Sequence, residues 1–116
     1  MTVDRVFCAA HAISVRGNRE PTHGHEWRVR VVVGGQELDE DGILCDFHAL
    51  ERRLDDVIAP FQDCDLNRTP PFDRVSPTAE RIARHLAEAI VLPEGLTLLS
   101  VGVTEAPGCV AVYRPG

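Results

Sequence analysis

The chain has 116 residues, of which 44% are hydrophobic and 26% are charged, and this composition is typical of one globular domain that spans residues 1–116. Its formal net charge of −6 at pH 7 disfavours nucleic acid and anionic membranes as partners. The sequence contains no run of about 18 apolar residues for a transmembrane helix and begins with no apolar leader, so we expect a cytoplasmic protein.

The N-terminal part of the chain predicts two β-strands. The segment "TVDRVFCAAHAI" alternates so that Phe7, Ala9 and His11 fall on one face. The segment "HEWRVRVVV" alternates Trp27 and three valines with charged residues, as expected for a strand with one buried face. Residues 12–22 lie between these segments, and their Gly, Asn and Pro residues predict a loop.

Helical spacing begins in the segment "CDFHALERRLDDVIAP". Asp46 is its candidate N-cap, and Pro60 ends the helix. The residues expected to face the core are Phe47, Leu50, Leu54, Val57 and Ile58. His48 is expected to be exposed, and the stretch "FQDCDLNRTPPFDRV" that follows predicts a loop.

A second helix is predicted in "SPTAERIARHLAEAI", with Ser76 as N-cap and Pro77 at the first helical position. Its inward residues are Ile82, Leu86 and Ile90, and His85 is expected to be exposed. Two more strands, "LTLLSVGVTE" and "CVAVYR", follow on either side of a turn. The order β-β-α-α-β-β predicts an α+β domain, with a four-stranded antiparallel sheet and two helices on one of its faces.

Three histidines form a candidate metal site. His23 and His25 are two residues apart, so in an extended strand they project to the same face. If the first two strands pair across the intervening loop, His11 meets them at the same end of the sheet. Three neutral imidazoles without a thiolate suit Zn²⁺, with a fourth position open to water or substrate. The alternative is a chance H-x-H pair on a polar loop.

Six short motifs occur in order along the chain: "FCAAH", "HGHEW", "GILCDF", "DLN", "PTAE" and "VTE". Together they resemble the 6-pyruvoyl-tetrahydropterin synthase and 6-carboxy-tetrahydropterin synthase family, and the resemblance covers nearly the whole chain. It implies the tunnelling fold (T-fold), in which sheets from several subunits close into a barrel. It therefore implies a homo-oligomer, a trimer or a hexamer of stacked trimers, and a small-molecule pterin substrate.

The resemblance also implies roles for individual residues. Glu105 would anchor the amino-pyrimidine edge of the pterin, because a carboxylate can accept two parallel N–H bonds. Thr78 and Glu80 match positions that line the pterin pocket, where the backbone N–H groups of a helix start are free. Without the family context, Glu105 would be a solvated strand end, and Glu80 would favour the helix N-terminus through the dipole. The implied Zn²⁺ ligands are His11, His23 and His25.

The chain departs from the family pattern at the acid–base residues. Members that act on dihydroneopterin triphosphate carry a cysteine four residues before H-G-H, where this chain has Arg19. The usual Asp-His pair of "D-H-x-x-L-N" is replaced by Gln62 and Asp63. Glu20, in the pattern E-x-x-H-G-H, is similar to a subgroup in which glutamate replaces the cysteine and the product is 6-hydroxymethyl-dihydropterin. We therefore predict Glu20 as the general base, with Asp63 as a second proton acceptor.

Three functional hypotheses follow. The favoured one is a zinc-dependent lyase that abstracts a proton from 7,8-dihydroneopterin triphosphate, or a related dihydropterin, and eliminates or cleaves its side chain. The first alternative is a homologue that binds zinc and pterin but has lost the synthase reaction. The second is a structural zinc that stiffens the hairpin, which predicts a closed site with four protein ligands. The alternative for Glu20 itself is a solvated loop residue.

Overall fold

The computed structural model describes residues 1–116 and contains seven strands and two α-helices. The strands are β1 (Thr2–His11), β2 (Ser14–Val15), β3 (Asn18–Arg19), β4 (His23–Gly34), β5 (Cys64–Asp65), β6 (Thr97–Ala106) and β7 (Cys109–Tyr113). The helices are α1 (Phe47–Ile58) and α2 (Ala79–Ala89), and short 3₁₀ turns cover Ala59–Phe61 and Leu66–Arg68. Neither α-helix has the length and apolar character that a membrane span requires.

Five strands form one mixed sheet in the order β5-β1-β4-β6-β7. The four longer strands pair antiparallel, as the sequence predicts. The prediction of a four-stranded, fully antiparallel sheet is wrong at one edge, because β5 pairs parallel with β1 through Ala9–Cys64 and Ala10–Asp65. A two-residue strand is too short to show an alternating pattern, so the sequence predicts only a loop there.

Strand register places the hydrophobic core on one face of the sheet. Phe7 pairs with Trp27, and His11 pairs with His23 at the end of the same two strands. Both helices contribute to the core of 19 buried residues on that face, since α1 packs against β1 while α2 packs against β6 and β7. The side chains of β4 that are completely buried are Trp27, Val29, Val31 and Val33.

Helix α1 begins where the sequence predicts. The side chain of Asp46 accepts a hydrogen bond from the backbone N–H of His48 and caps the helix. Leu50, Leu54 and Ile58 are buried as expected. Phe47 is predicted to face the core, but it is 56% exposed. It is the first residue of α1 and lines a surface depression next to the preceding loop.

Helix α2 begins later than the sequence predicts. Its N-cap is Thr78, whose hydroxyl accepts a hydrogen bond from the backbone N–H of Arg81. The assignments of Ser76 as N-cap and Pro77 as first helical residue are therefore wrong by two residues. Both serine and threonine suit a cap, so the local sequence alone does not separate them.

The two helical histidines have different environments. His48 is exposed, as predicted. His85 is half-buried and packs edge-on against Phe61 and Phe72, with ring centroids 5.6 and 5.5 Å away. Burial lowers the pKa of His85 below its ordinary value of 6.5. The prediction of an exposed His85 is wrong, because a 3₁₀ turn far from it in sequence covers the ring.

Candidate functional site

Three imidazoles converge at one end of the sheet. The β1–β4 register sets His11 opposite His23, and His25 lies two residues further along the same face of β4. The ring centroid of His11 is 4.8 Å from that of His23 and 5.1 Å from that of His25. The antiparallel pairing of two strands therefore brings together histidines that are separated by a loop in the sequence.

Backbone carbonyls orient two of these rings. The Nδ1 atom of His11 lies 2.9 Å from the carbonyl oxygen of Pro77, and Nδ1 of His23 lies 2.9 Å from the carbonyl oxygen of Pro21. A carbonyl only accepts, so each Nδ1 donates, and the Nε2 atom of each ring carries the lone pair. Carbonyl partners of this kind are typical of metal-ligating histidines.

The donor set fits a divalent metal ion. The Nε2 atoms of His11 and His25 are buried and make no hydrogen bond, which is costly unless another partner is present. Burial lowers the pKa of His25 below 6.5, although the nearby Glu105 carboxylate opposes this shift, so the ring is neutral near pH 7. Neutral imidazole nitrogens at this spacing suit Zn²⁺.

A carboxylate lies among the imidazoles. The Oε1 atom of Glu105 is 2.9 Å from Nε2 of His11 and 3.2 Å from Nε2 of His25. The ligand atoms of all three histidines and Glu105 lie within 4.8 Å of one another. The spacing of the histidines predicted three imidazoles at this position and no carboxylate. The only signal for it is that "VTE" ends a strand that pairs with β4.

Glu20 also lies beside the histidine cluster. The hairpin β2–β3 turns at Arg16 and Gly17, which both have positive φ, and brings the chain back so that the N–H of Glu20 donates to the carbonyl of Ile13. Its side-chain Oε1 accepts a hydrogen bond from the N–H of Ile13 and lies 3.7 Å from Nε2 of His23. Local folding of the loop thus holds the Glu20 carboxylate at the edge of the cluster.

The other predicted site residues make no hydrogen bond or ion pair with the cluster. Asp63 is exposed and accepts a hydrogen bond from the side chain of Gln62, and it lines a surface depression together with His25. Thr78 uses its hydroxyl to cap α2. Glu80 is exposed in the first turn of the same helix. The contact between His11 and Pro77 brings the start of α2 against the cluster.

Two residues that support the site were not identified from the sequence. The side chain of Asn67 accepts from the N–H of Ala12 and donates to its carbonyl, at 2.7 and 2.9 Å. The indole N–H of Trp27 donates to the carbonyl of Ala9 at 3.2 Å. These three hydrogen bonds fix the end of β1, where His11 lies. The "DLN" and "HGHEW" motifs contained these residues, but nothing in their local pattern indicated a distant backbone partner.

A sequence model of the 6-pyruvoyl tetrahydropterin synthase family matches residues 1–116. The chain belongs to this family. Among curated pterin synthases, the 6-carboxy-5,6,7,8-tetrahydropterin synthase of Bacillus subtilis (strain 168) is 32% identical over 123 residues, which cover 97% of this chain and 82% of the relative. The resemblance predicted from the sequence motifs is therefore confirmed.

Solved pterin synthases share the fold. The 6-pyruvoyl tetrahydropterin synthase of Caenorhabditis elegans matches with a TM-score of 0.79 at 21% identity, over 100% of this chain and 96% of that chain. A Plasmodium vivax 6-pyruvoyltetrahydropterin synthase, in a variant whose catalytic glutamate is replaced by alanine, matches with a TM-score of 0.74 at 19% identity, over the same shares. The matches confirm the predicted pterin synthase fold for the single chain, with five strands in its sheet.

Proposed function

We propose that the protein is a zinc-dependent pterin-processing lyase acting on 7,8-dihydroneopterin triphosphate or a related dihydropterin. The reaction would be proton abstraction followed by elimination or cleavage of the substrate side chain. The observation that carries this proposal is the convergence of three imidazole Nε2 atoms beside the Glu20 carboxylate. Family membership supports the reaction class, since the relative in Bacillus subtilis is a tetrahydropterin synthase.

The zinc ion would be held by His11, His23 and His25 through their Nε2 atoms. When bound, Zn²⁺ supplies Lewis acidity to the side-chain hydroxyls of the substrate. The carbonyl groups of Pro21 and Pro77 keep two of the rings in the ligating tautomer.

Glu20 would accept the proton removed from the substrate side chain. Its carboxylate lies 3.7 Å from Nε2 of His23, close enough to reach a group bound at the cluster. The oxygen at this distance, Oε1, also accepts a hydrogen bond from the N–H of Ile13, and the second oxygen, Oε2, would be the base. In the Plasmodium vivax enzyme a glutamate is a catalytic residue, which supports a carboxylate in this role. Asp63 would act as a second proton acceptor from the neighbouring depression.

The pterin ring would bind between Glu105 and the start of α2. Glu105 would accept N–H bonds from the amino-pyrimidine edge, and Thr78 and Glu80 would line the pocket. A depression of about 530 Å³ lies beside His25 and Glu105, and its volume is within the range of small-molecule sites, but neither Thr78 nor Glu80 lines it. The hydrogen bond between His11 and Pro77 supports the nearness of the helix start to the zinc ligands.

We also propose that the protein is a cytoplasmic homo-oligomer, a trimer or hexamer. β7 is an edge strand of the sheet, and its Val110 and Val112 are 56% and 50% exposed. An unpaired edge with apolar side chains favours pairing with another chain. Such pairing would close the sheets into the barrel implied by the family.

A product assay tests the lyase proposal. Purified zinc-loaded protein is incubated with 7,8-dihydroneopterin triphosphate, and the products are separated and identified by mass spectrometry. We expect a 6-pyruvoyl, 6-carboxy or 6-hydroxymethyl pterin, and its absence from a His11→Ala control. Unchanged substrate together with measurable pterin binding would overturn the lyase and support the alternative, a zinc- and pterin-binding homologue that has lost the synthase reaction. The replacements at Arg19 and Gln62 motivate that alternative.

A further inference from the structure

We propose that Glu105 is a fourth protein ligand of the metal centre, so that the site is closed when no pterin is bound. The inference rests on the zinc ion of the proposed function and adds a ligand to it. It also assigns Glu105 two successive roles: its carboxylate closes the metal site in the free protein, and it leaves that position when a pterin enters.

The distances from the Glu105 carboxylate to the histidine nitrogens match the distances between ligands of one metal ion. Four ligands at about 2.0–2.2 Å from a tetrahedral zinc ion lie roughly 3.3 Å from one another. One carboxylate oxygen, Oε1 of Glu105, lies 2.9 Å from Nε2 of His11 and 3.2 Å from Nε2 of His25. All four candidate ligand atoms fall within 4.8 Å of one another.

A direct hydrogen bond does not account for these contacts. The Nδ1 atom of His11 donates to Pro77, so in the neutral ring that binds a metal its Nε2 presents a lone pair to the carboxylate oxygen. Nε2 of His11 and of His25 make no hydrogen bond, despite their short distances to Glu105. Two atoms that both present lone pairs repel each other at 2.9 Å unless a cation lies between them. The side chain of His11 is 1% exposed, so water does not solvate its Nε2 atom.

The surroundings of Glu105 leave it free for this role. Its carboxylate pairs with no arginine, and its only charged or titratable neighbours within ion-pair distance are the two histidines. Glu20, in contrast, accepts a hydrogen bond from the N–H of Ile13 and lies 3.7 Å from the nearest imidazole nitrogen. The two carboxylates thus have separate tasks, with Glu105 at the metal and Glu20 beside it.

Strand geometry explains why Glu105 reaches the histidines. Val103 of β6 pairs with Val29 of β4, and alternation turns Glu105 to the same face as Val103. The β6–β7 register shifts between Thr104 and Ala106, so Glu105 lies at an irregularity. Bulges of this kind commonly redirect a side chain toward a site.

Metal affinity and anion access test the inference. Zinc affinity is measured by chelator competition for the wild type, Glu105→Gln, Glu105→Asp and Glu26→Gln, where Glu26 is an exposed carboxylate on the opposite face of β4. We expect Glu105→Gln to weaken zinc binding by at least about tenfold, Glu105→Asp to weaken it less, and Glu26→Gln to leave it unchanged. In cobalt-loaded protein, azide should change the visible spectrum of Glu105→Gln at concentrations that leave the wild-type spectrum unchanged, because only the variant has an open position.

The outcomes separate this inference from the proposed function. If wild-type protein binds zinc through the histidines but Glu105→Gln binds it equally well, and azide perturbs the wild-type spectrum, the fourth-ligand role is wrong and the open zinc site stands. If the wild type binds no zinc and His11→Ala changes nothing, both proposals are wrong. Circular dichroism of each variant checks that its fold is retained, and Glu105→Asp provides a second carboxylate variant if Glu105→Gln does not fold.

Discussion

The Nδ1 atom of His11 lies 2.9 Å from the carbonyl oxygen of Pro77, which joins the end of β1 to the start of α2. These residues are 66 positions apart in the sequence. The contact makes Nδ1 of the most buried histidine a hydrogen-bond donor and brings the residue before Thr78, the N-cap of α2, against the cluster. The candidate metal site and a helix N-terminus are therefore neighbours, as the proposed binding of a pterin beside zinc requires.

Removal of one imidazole should abolish tight zinc binding. We expect His11→Ala to lose more than about 100-fold in zinc affinity, because it deletes a buried ligand rather than a residue that only orients one. His48→Ala is the matched control, since that histidine is exposed on α1. Zinc content after gel filtration, measured by mass spectrometry, checks the prediction. Equal zinc content in the two variants would contradict it.

Glu20→Gln should impair chemistry without loss of metal. The amide keeps an oxygen that can accept from the N–H of Ile13, but it cannot take up a proton. We expect kcat to fall by about 10²- to 10⁴-fold, with zinc content unchanged. Glu94→Gln, at an exposed position, serves as the control in the same product assay. Full activity in Glu20→Gln would exclude the carboxylate as the general base.

Asn67→Ala should destabilise the end of β1. The side chain of Asn67 satisfies both the N–H and the carbonyl of Ala12, and its loss leaves partly buried backbone groups unpaired. We expect the free energy of unfolding to fall by about 1–3 kcal/mol. Asn18→Ala, in the exposed β2–β3 hairpin, should change it by less than about 0.5 kcal/mol. Urea denaturation compares the two, and similar values for both would show that the bridge contributes nothing.

Thr78→Ala should destabilise α2 more than Ser76→Ala. The hydroxyl of Thr78 accepts the N–H of Arg81, whereas Ser76 makes no side-chain cap. We expect a loss of about 1 kcal/mol for Thr78→Ala and less than about 0.5 kcal/mol for Ser76→Ala. Thermal denaturation at fixed pH measures both. A larger loss of stability for Ser76→Ala than for Thr78→Ala would indicate that Ser76 is the N-cap.

Stability should fall on acidification, partly through His85. Burial lowers the pKa of His85 below 6.5, while the unfolded chain titrates near that ordinary value. The unfolded state therefore binds more protons between these two pKa values, and the free energy of unfolding falls as pH drops below about 6.5. In metal-free protein His25 acts in the same direction. His85→Gln should show a shallower pH dependence than His48→Gln in urea titrations, and identical slopes would contradict the assignment.

Most of the element order could be predicted because it depends on local patterns. The alternation around Trp27 has a period of 2, and the spacing of Leu50 and Leu54 fits a period of 3.6. Each pattern can be recognised within its own segment, without the rest of the chain. The wrong predictions concern features that no local pattern indicates. β5 has two residues and no pattern, and the exposure of His85 depends on Phe61 and Phe72, which the sequence does not place.

The candidate site divides in the same way. The sequence by itself determined that His23 and His25 share a face and that a paired His11 would join them, because strand alternation follows from backbone geometry. Only the tertiary structure decided that Oε1 of Glu105 lies 2.9 Å from Nε2 of His11. It also decided that the Pro77 carbonyl accepts a hydrogen bond from Nδ1 of the same ring. These contacts join β1 to β6 and to α2, and their distances depend on how the helices and strands pack rather than on any local sequence pattern.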